Sequence, residues 1–215
     1  MANLLSDEQK SYQAVIKDKC KCDVEIINIL GMYVKMQIVL IRHGKTKSNL
    51  ENIMISNSDE QLCQEGIDCL RNTVYPSVCK LISSPMKRCI QTASIIYPDK
   101  PIQINKNLRE FFLKHWEGQQ YENMKSIYQQ YFDEAVDEQI QSYIEQTRMT
   151  FEKLIYDNVG GKSLGIVTHG GQIKVILSQY VHPKRKFSLW KVKNGSAFKI
   201  YFDLASKKAF VLSVM

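Results

Sequence analysis

The side chains that could do chemistry in this sequence begin with Arg42 and His43, which directly follow a short apolar run at residues 38–41. A guanidinium beside an imidazole can bind an anion next to a nucleophile or a proton carrier. Short runs of β-branched and aliphatic residues are typical of buried strands in parallel sheets. Open α/β sheets bind their ligands at the carboxyl ends of such strands. We therefore expect Arg42 and His43 to form a site at a strand end.

A second guanidinium, that of Arg88, follows the apolar stretch 78–82, which we interpret as another buried strand. Ser84 and Pro85 stand between the two, and a proline after a serine is a strong signal for a helix start. The sequence therefore predicts a helix with Pro85 at its first position and Arg88 in its first turn. This places a second cation close to the end of a strand.

An acid and a second imidazole complete the set. Glu110 follows a short predicted strand at 102–104, and its carboxyl group could donate or accept a proton. His169 follows the predicted strand 163–168 and precedes a predicted helix, whose free N–H groups, beginning at Gly170, favour a bound anion. Anion binding and proton transfer are therefore the chemistry that these residues indicate.

The remaining elements make an alternating α/β pattern. Residues 119–157 predict two helices with apolar and tyrosine side chains on one face. Residues 196–204 and 208–214 predict a C-terminal β-hairpin. The sequence thus predicts an α/β fold in which the last two strands run antiparallel.

Taken together, the clusters resemble the motifs of the histidine phosphatase (phosphoglycerate mutase-like) superfamily, in the family's order. The matching stretches are Arg42-His43-Gly44-Lys45-Thr46 with Asn49, Ser83-Ser84-Pro85 with Arg88 and Gln91-Thr92-Ala93, Leu108-x-Glu110 with Trp116-Glu117-Gly118, and Val167-x-His169-Gly170-Gly171. Three positions depart from the usual pattern: Cys63 replaces a threonine, Lys114 a glycine and Lys174 an arginine. Because Lys114 changes the loop after Glu110, it puts the substrate fit in doubt.

The resemblance implies a three-layer αβα sandwich with a mostly parallel central sheet and an antiparallel C-terminal edge, formed by residues 36–215. It also implies the roles of the site residues. His43 is the nucleophile that forms a phosphohistidine, with its other ring nitrogen fixed by a backbone carbonyl. Arg42, Arg88 and His169 bind the phosphoryl oxygens, and Glu110 exchanges the proton of the leaving group. Asn49, Thr46 and Gly170 are expected to bind substrate, and neither a metal nor another cofactor is expected.

The favoured function is hydrolysis of a small phosphorylated metabolite, because the interval from Glu110 to His169 is compact and the turn 116–118 is similar to that of the small bacterial phosphatases, including the α-ribazole phosphatase type. A phosphoglycerate mutase-type transferase would share every catalytic residue. A non-catalytic module that binds a phosphorylated ligand is the third possibility.

The composition of the chain limits the class of protein it can be and the ligands it can bind. The chain has 215 residues, a formal net charge of +7 and six cysteines without a C-x-x-C pair, so zinc is not indicated. The basic residues are scattered, and a small phosphorylated substrate accounts for the charge as well as nucleic acid would. No apolar run is long enough for a membrane span and no secretory signal opens the chain, so we expect a cytoplasmic monomer or homodimer that binds neither membrane nor nucleic acid.

Residues 1–35 form an N-terminal extension without recognisable chemistry. They contain a predicted helix at 6–17 and a strand-like stretch at 24–30. Met36 stands directly before the signature strand, so the extension is either an appended element or a leader ahead of the true start.

Overall fold

The computed structural model describes residues 35–111 and 116–215. The predicted helix at 6–17, the strand-like stretch at 24–30 and the departure at Lys114 lie outside the described residues. Six strands are described: β1 Lys35–Arg42, β2 Lys80–Ser83, β3 Ile102–Ile104, β4 Ser163–Thr168, β5 Ala197–Asp203 and β6 Lys208–Val214. The α-helices are α1 Lys47–Leu50, α2 Gln64–Arg71, α3 Lys87–Ile96, α4 Tyr121–Glu134, α5 Glu138–Tyr156 and α6 Gly170–Tyr180. Short 3-10 helices span Lys106–Leu108 and Phe187–Leu189.

The strands form a single sheet in the order β3-β2-β4-β1-β5-β6. Strands β1 to β4 pair in parallel, whereas β5 pairs antiparallel with both β1 and β6. The mostly parallel sheet with an antiparallel C-terminal edge is therefore confirmed. The register aligns Arg42 with Thr168 and Ser83 with Val167. Consequently the carboxyl ends of β1, β2 and β4 meet at one edge of the sheet, where the candidate residues follow.

Helices cover both faces of the sheet. On one face, Leu40 and Ile166 pack with Phe151 of α5 and Ile176 of α6. On the other face, apolar residues of β1 and β2 pack with Cys89 and Ala93 of α3. The two inner strands β1 and β4 are almost completely buried, which explains why their sequences read as continuous apolar runs. The predicted three-layer architecture is confirmed.

Helix α3 begins at Lys87 rather than at Pro85, so that prediction is wrong by two residues. The side chain of Ser84 is used differently. Its hydroxyl lies 2.9 Å from Nε2 of His169 and also accepts a long hydrogen bond from Met86 N at 3.4 Å. Met86, with an extended backbone, takes the N-cap position without a side-chain cap. A helix-start signal is thus used here to hold a site residue.

Helix α2 packs closely against the loop after His43. A Cβ atom at Gly66 would overlap the carbonyl oxygen of Lys45 and lie 2.8 Å from its nitrogen, so glycine is required for this approach. Cys63 occupies the N-cap position and makes no capping hydrogen bond, as its replacement of threonine predicts.

Helices α4 and α5 carry an aromatic cluster beside the carboxyl edge of the sheet. Its members include Phe111, Trp116, Tyr128, Phe132, Tyr143 and Phe187. Within the described ranges, no helix combines the length and apolar character needed to cross a bilayer.

Candidate active site

His43 lies at the end of β1 with 4% of its surface exposed. Its Nδ1 is 2.7 Å from the carbonyl oxygen of Gly44. A carbonyl can only accept, so Nδ1 carries the hydrogen and Nε2 keeps a free lone pair. Burial, followed by the charges of Arg88 and Arg42, holds the pKa of His43 well below its ordinary value. The ring is therefore neutral at pH 7 with its lone pair on Nε2, and the predicted hydrogen bond from His43 to a backbone carbonyl is confirmed.

Arg42 and Arg88 are both held by backbone carbonyls. Arg42 donates from Nη1 to Val192 O at 2.7 Å. Arg88, which is fully buried, donates to Ser58 O at 2.6 Å and to Ser56 O at 3.0 Å. The Nε–H group of each guanidinium is buried and has no hydrogen-bond partner among residues 35–111 and 116–215. Each guanidinium is thus held through its terminal nitrogen atoms, and its Nε–H group can donate a hydrogen bond to a bound anion.

His169 lies at the N-cap of α6, with 1% of its surface exposed. The ring centroids of His43 and His169 are 5.3 Å apart, which places both imidazoles in one site. Nη2 of Arg88 stands 3.4 Å from Nδ1 of His169, so this nitrogen is the acceptor and Nε2–H donates to Ser84. Burial and the charge of Arg88 hold the pKa of His169 well below its ordinary value.

Both ring nitrogens of His169 therefore have protein partners. For His169 to donate to a phosphoryl oxygen, as the sequence predicts, Nε2–H must exchange Ser84 for the substrate. That role stays a prediction.

The carboxylate of Glu110 is held by three donors. Tyr143 OH donates to Oε1 at 2.9 Å, Phe111 N donates to Oε1 at 3.0 Å, and Gly171 N donates to Oε2 at 3.0 Å. A Cβ atom at Gly171 would lie 2.5 Å from Oε1 of Glu110, so the absence of a side chain at this position leaves room for the carboxylate. The first turn of α6 thus carries His169 and contacts Glu110.

The backbone before Glu110 is tied down as well. Gln172 donates from Nε2 to Arg109 O at 2.8 Å and to Asn107 O at 3.0 Å, and Thr168 Oγ1 donates to Leu108 O at 2.9 Å. Gln172 and Thr168 come from the same strand and helix as His169. The acid and the second imidazole are therefore positioned by one rigid unit.

The three expected substrate-binding residues make mostly structural contacts, and Thr46 is completely buried. Thr46 Oγ1 accepts from Asn49 N at 3.4 Å, and Thr46 N donates to Asn49 Oδ1 at 3.2 Å, so the pair forms a capping box for α1. Asn194 donates to Asn49 Oδ1 at 2.9 Å. The missing side chain at Gly170 leaves room for the guanidinium of Arg42, since a Cβ there would lie 3.3 Å from Nε. Substrate binding by Thr46, Asn49 and Gly170 stays a prediction.

Glu117, interpreted from sequence as a turn residue, fixes the loop 56–58 above Arg88. Its carboxylate accepts from Ser56 Oγ at 2.9 Å and from the backbone and side chain of Ser58 at 2.8 and 2.6 Å. The carbonyls of Ser56 and Ser58 in turn hold Arg88. The acid motif is thereby linked to the second arginine.

Sequence reasoning missed Tyr143, Gln172 and Asn194 as supports of the site. Tyr143 and Gln172 lie at inward positions of amphipathic helices, where their pattern indicates only packing. Asn194 lies in an Asn-Gly turn, and nothing in that turn signals a contact with Asn49. Only the fold brings these residues to the motifs.

No group of three or more His, Cys, Asp or Glu side chains in the described part of the chain is arranged to hold a metal ion. Positive charge at the site comes from Arg42 and Arg88, and Glu110 provides a carboxyl group. The arrangement is suited to bind an anion beside a neutral imidazole and an acid that exchanges protons.

Comparisons with known proteins agree with this fold. Residues 38–212 match the model of the histidine phosphatase superfamily (branch 1). A broad-specificity phosphatase of Saccharomyces cerevisiae is 25% identical over 211 residues, which covers 90% of this chain and 88% of the relative. The α-ribazole phosphatase from Shigella flexneri superposes with a TM-score of 0.69 at 21% identity, covering 84% of this chain and 96% of that one. Phosphoserine phosphatase from Entamoeba histolytica, in complex with 3-phosphoglyceric acid, superposes with a TM-score of 0.67 at 21% identity over 83% and 96% of the two chains.

Proposed function

The chain belongs to the histidine phosphatase superfamily and is a phosphatase, and we propose that it hydrolyses phosphomonoesters of small metabolites through a phosphohistidine formed on His43. The observation that carries this proposal is the state of His43. Its Nδ1–H is bonded to Gly44 O, and burial beside two arginines keeps the ring neutral, so Nε2 is the available nucleophile.

In the first step Nε2 of His43 attacks phosphorus, the bond between phosphorus and the ester oxygen breaks, and the leaving oxygen takes the proton of Glu110. In the second step water attacks the phosphohistidine. Glu110 accepts a proton from that water, the N–P bond breaks, and inorganic phosphate leaves. One carboxyl group serves as acid in the first step, which leaves it as a carboxylate, and as base in the second step, which restores its proton.

Arg42 and Arg88 have the electrostatic role in both steps. Phosphoryl transfer needs positioning and neutralisation of the equatorial oxygens more than it needs covalent assistance. The two guanidinium groups are fixed by the carbonyls of Val192, Ser56 and Ser58, so their orientation needs no rearrangement when substrate binds. We therefore expect turnover without added metal.

The test is phosphate release from a panel of phosphomonoesters in the presence of EDTA, including p-nitrophenyl phosphate, sugar phosphates, phosphoserine and 3-phosphoglycerate. Wild type is compared with His43→Ala, and His182→Ala serves as the matched control, because His182 lies at a distant turn. We expect release by wild type and His182→Ala and loss of release in His43→Ala. Rapid denaturation during turnover should trap an acid-labile phosphoryl group on wild type and on His182→Ala but not on His43→Ala.

Other outcomes would contradict the proposal. Full release by His43→Ala would exclude the phosphohistidine. Transfer between phosphoglycerates without hydrolysis would identify a mutase, and binding of esters without either reaction would identify a binding module.

A further inference from the structure

A cleft of about 320 Å³ lies between the carboxyl-terminal halves of α4 and α6 and the segment 184–187. None of the five residues to which we assign the reaction lines it. The α6 residues in its wall, from Val175 to Gln179, follow His169 by six to ten positions. At the rise of an α-helix, this separation corresponds to about 9–15 Å along the helix axis. The cleft is therefore separate from the candidate active site.

Three consecutive basic residues, Lys184, Arg185 and Lys186, contribute to the lining, and all three are exposed. The side chains of Lys184 and Lys186 form no hydrogen bond or ion pair with any other residue in the described ranges. The guanidinium of Arg185 lies over the ring of Trp190, 5.4 Å from its centroid. Asp133 is the single acid in the lining and already accepts a hydrogen bond from a backbone N–H group. Three cations against one carboxylate leave the lining with a net charge of +2.

Apolar side chains form much of the remaining lining. Phe132 and Phe187 stack with their ring centroids 4.4 Å apart and their planes 13° apart. Val175 of α6 belongs to the same buried cluster, and Ile144 of α5 packs against it. Because these side chains are held by the core, the apolar part of the cleft is formed before any ligand arrives. The cleft thus combines a fixed apolar surface with exposed cations that have no acidic partner among the described residues.

We propose that this cleft binds a small organic anion, in which a carboxylate, sulfonate or phosphate group is attached to a ring or a short hydrocarbon body. The unpaired cations favour the anionic group, and the apolar side chains favour the body. The volume lies at the lower end of the roughly 300–1,000 Å³ that small-molecule sites occupy. A nucleic acid would need an extended basic stripe, whereas residues 184–186 are the only three consecutive basic residues in the chain. The inference concerns a second site and goes beyond the proposed function.

The experiment measures binding of 8-anilinonaphthalene-1-sulfonate, a fluorescent probe that joins aromatic rings to one sulfonate and has no phosphate ester to hydrolyse. N-phenyl-1-naphthylamine, which has the same rings without the charge, is the comparison probe. The test variant is Lys184→Gln with Lys186→Gln. The matched control is Lys80→Gln with Lys162→Gln, two exposed lysines at the amino ends of β2 and β4. Each titration is repeated at constant ionic strength with excess inorganic phosphate, the product of the proposed reaction.

Wild type and the control variant should bind one equivalent of the sulfonate saturably, and phosphate should not displace it. The test variant should bind it about tenfold more weakly, because two partly exposed charge pairs are lost. Wild type should bind the neutral probe about tenfold more weakly than the sulfonate, and the test substitutions should not change that affinity. Turnover of p-nitrophenyl phosphate should be the same in all three proteins, since neither lysine pair contacts the active site.

Other results would overturn the inference. Absence of saturable binding, equal affinity of wild type and the test variant for the sulfonate, or equal affinity of wild type for both probes would show that the cations bind no anion in this cleft. Displacement of the sulfonate by phosphate, or competitive inhibition of turnover, would place the probe in the active site. Retention of a single-stranded oligonucleotide that is lost in the test variant, without binding of the sulfonate, would identify a surface for polyanions instead.

Discussion

Replacing Tyr143 by phenylalanine tests how the general acid is controlled. The hydroxyl of Tyr143 donates to Glu110 Oε1 at 2.9 Å, and burial raises its pKa well above the ordinary value, so it remains a donor at every working pH. The ring packs against Phe111 and Phe132, contacts that phenylalanine retains. The substitution therefore removes one hydrogen bond and little else.

The magnitude follows from the three donors on the carboxylate. In the proposed mechanism Glu110 releases its proton to the leaving oxygen, negative charge develops on the carboxylate, and Tyr143 stabilises that charge. A hydrogen bond to a charged group contributes roughly 1.5–3 kcal/mol, which corresponds to about 10–100-fold in rate if it is lost entirely from the transition state. Because two N–H donors remain, we expect the lower end, about tenfold.

The assay compares esters that differ in their need for an acid. Alkyl phosphates release a poor leaving group that must be protonated, whereas p-nitrophenolate leaves as an anion. In Tyr143→Phe, kcat/KM for an alkyl phosphate should fall about tenfold, and the value for p-nitrophenyl phosphate should stay within about threefold.

Tyr180→Phe is the matched control. Its hydroxyl also donates to a carboxylate, that of Glu152, at 2.7 Å, but at the carboxyl-terminal end of α6, whereas Glu110 contacts the amino-terminal end of that helix. Tyr180→Phe should leave both rates unchanged. Equal loss on both esters in Tyr143→Phe, or the same selective loss in Tyr180→Phe, would refute the assignment of Tyr143 to the acid.

Three further predictions concern stability. His43 and His169 are neutral in the folded protein and take up protons below pH 6.5 when the chain unfolds. The free energy of unfolding should therefore fall as the pH drops below 6.5, by at most about 2.7 kcal/mol per pH unit. An unfolding free energy from urea denaturation that stays constant between pH 7 and 5.5 would contradict this. Burial and Arg42 lower the pKa of Lys174 to about 8, and the unfolded chain keeps that proton to higher pH. Lys174→Met should therefore stabilise the fold by about 1–3 kcal/mol at pH 7 and lose the advantage near pH 10; equal gains at both pH values would show that packing is responsible. Gly66→Ala should destabilise by about 2 kcal/mol or more, because its Cβ meets the Lys45 backbone; an unchanged thermal midpoint would argue against this contact.

Much of the fold could be predicted because the inner strands of the sheet are apolar along nearly their whole length. Strands β1 and β4 are buried along nearly their whole length, so both appear in the sequence as unbroken apolar runs that end at a motif. The C-terminal hairpin followed from two strand-like segments about a short turn, and β5 and β6 bear it out. The convergence of His43, Arg88 and His169 followed from their positions after strand ends.

Other features could not be predicted from the sequence because they depend on contacts between residues that are far apart along the chain. The helix start at Lys87 was misplaced because Ser84, a usual cap residue, is bonded to His169, 85 positions away. Tyr143 holds Glu110 across 33 positions, yet its helical periodicity is that of an ordinary core residue.

The arginines have a double effect on His43 that links binding to chemistry. Their positive charges lower the pKa of the empty ring, which keeps Nε2 unprotonated before substrate arrives. In the proposed mechanism, a bound phosphate dianion offsets those charges, so the same ring accepts positive charge as its N–P bond forms. Nδ1–H then becomes a stronger donor, and Gly44 O, already 2.7 Å away, is in place to stabilise it. On this proposal His43 is neutral when it must attack and stabilised as a cation once it has attacked, without any change in the backbone that holds it.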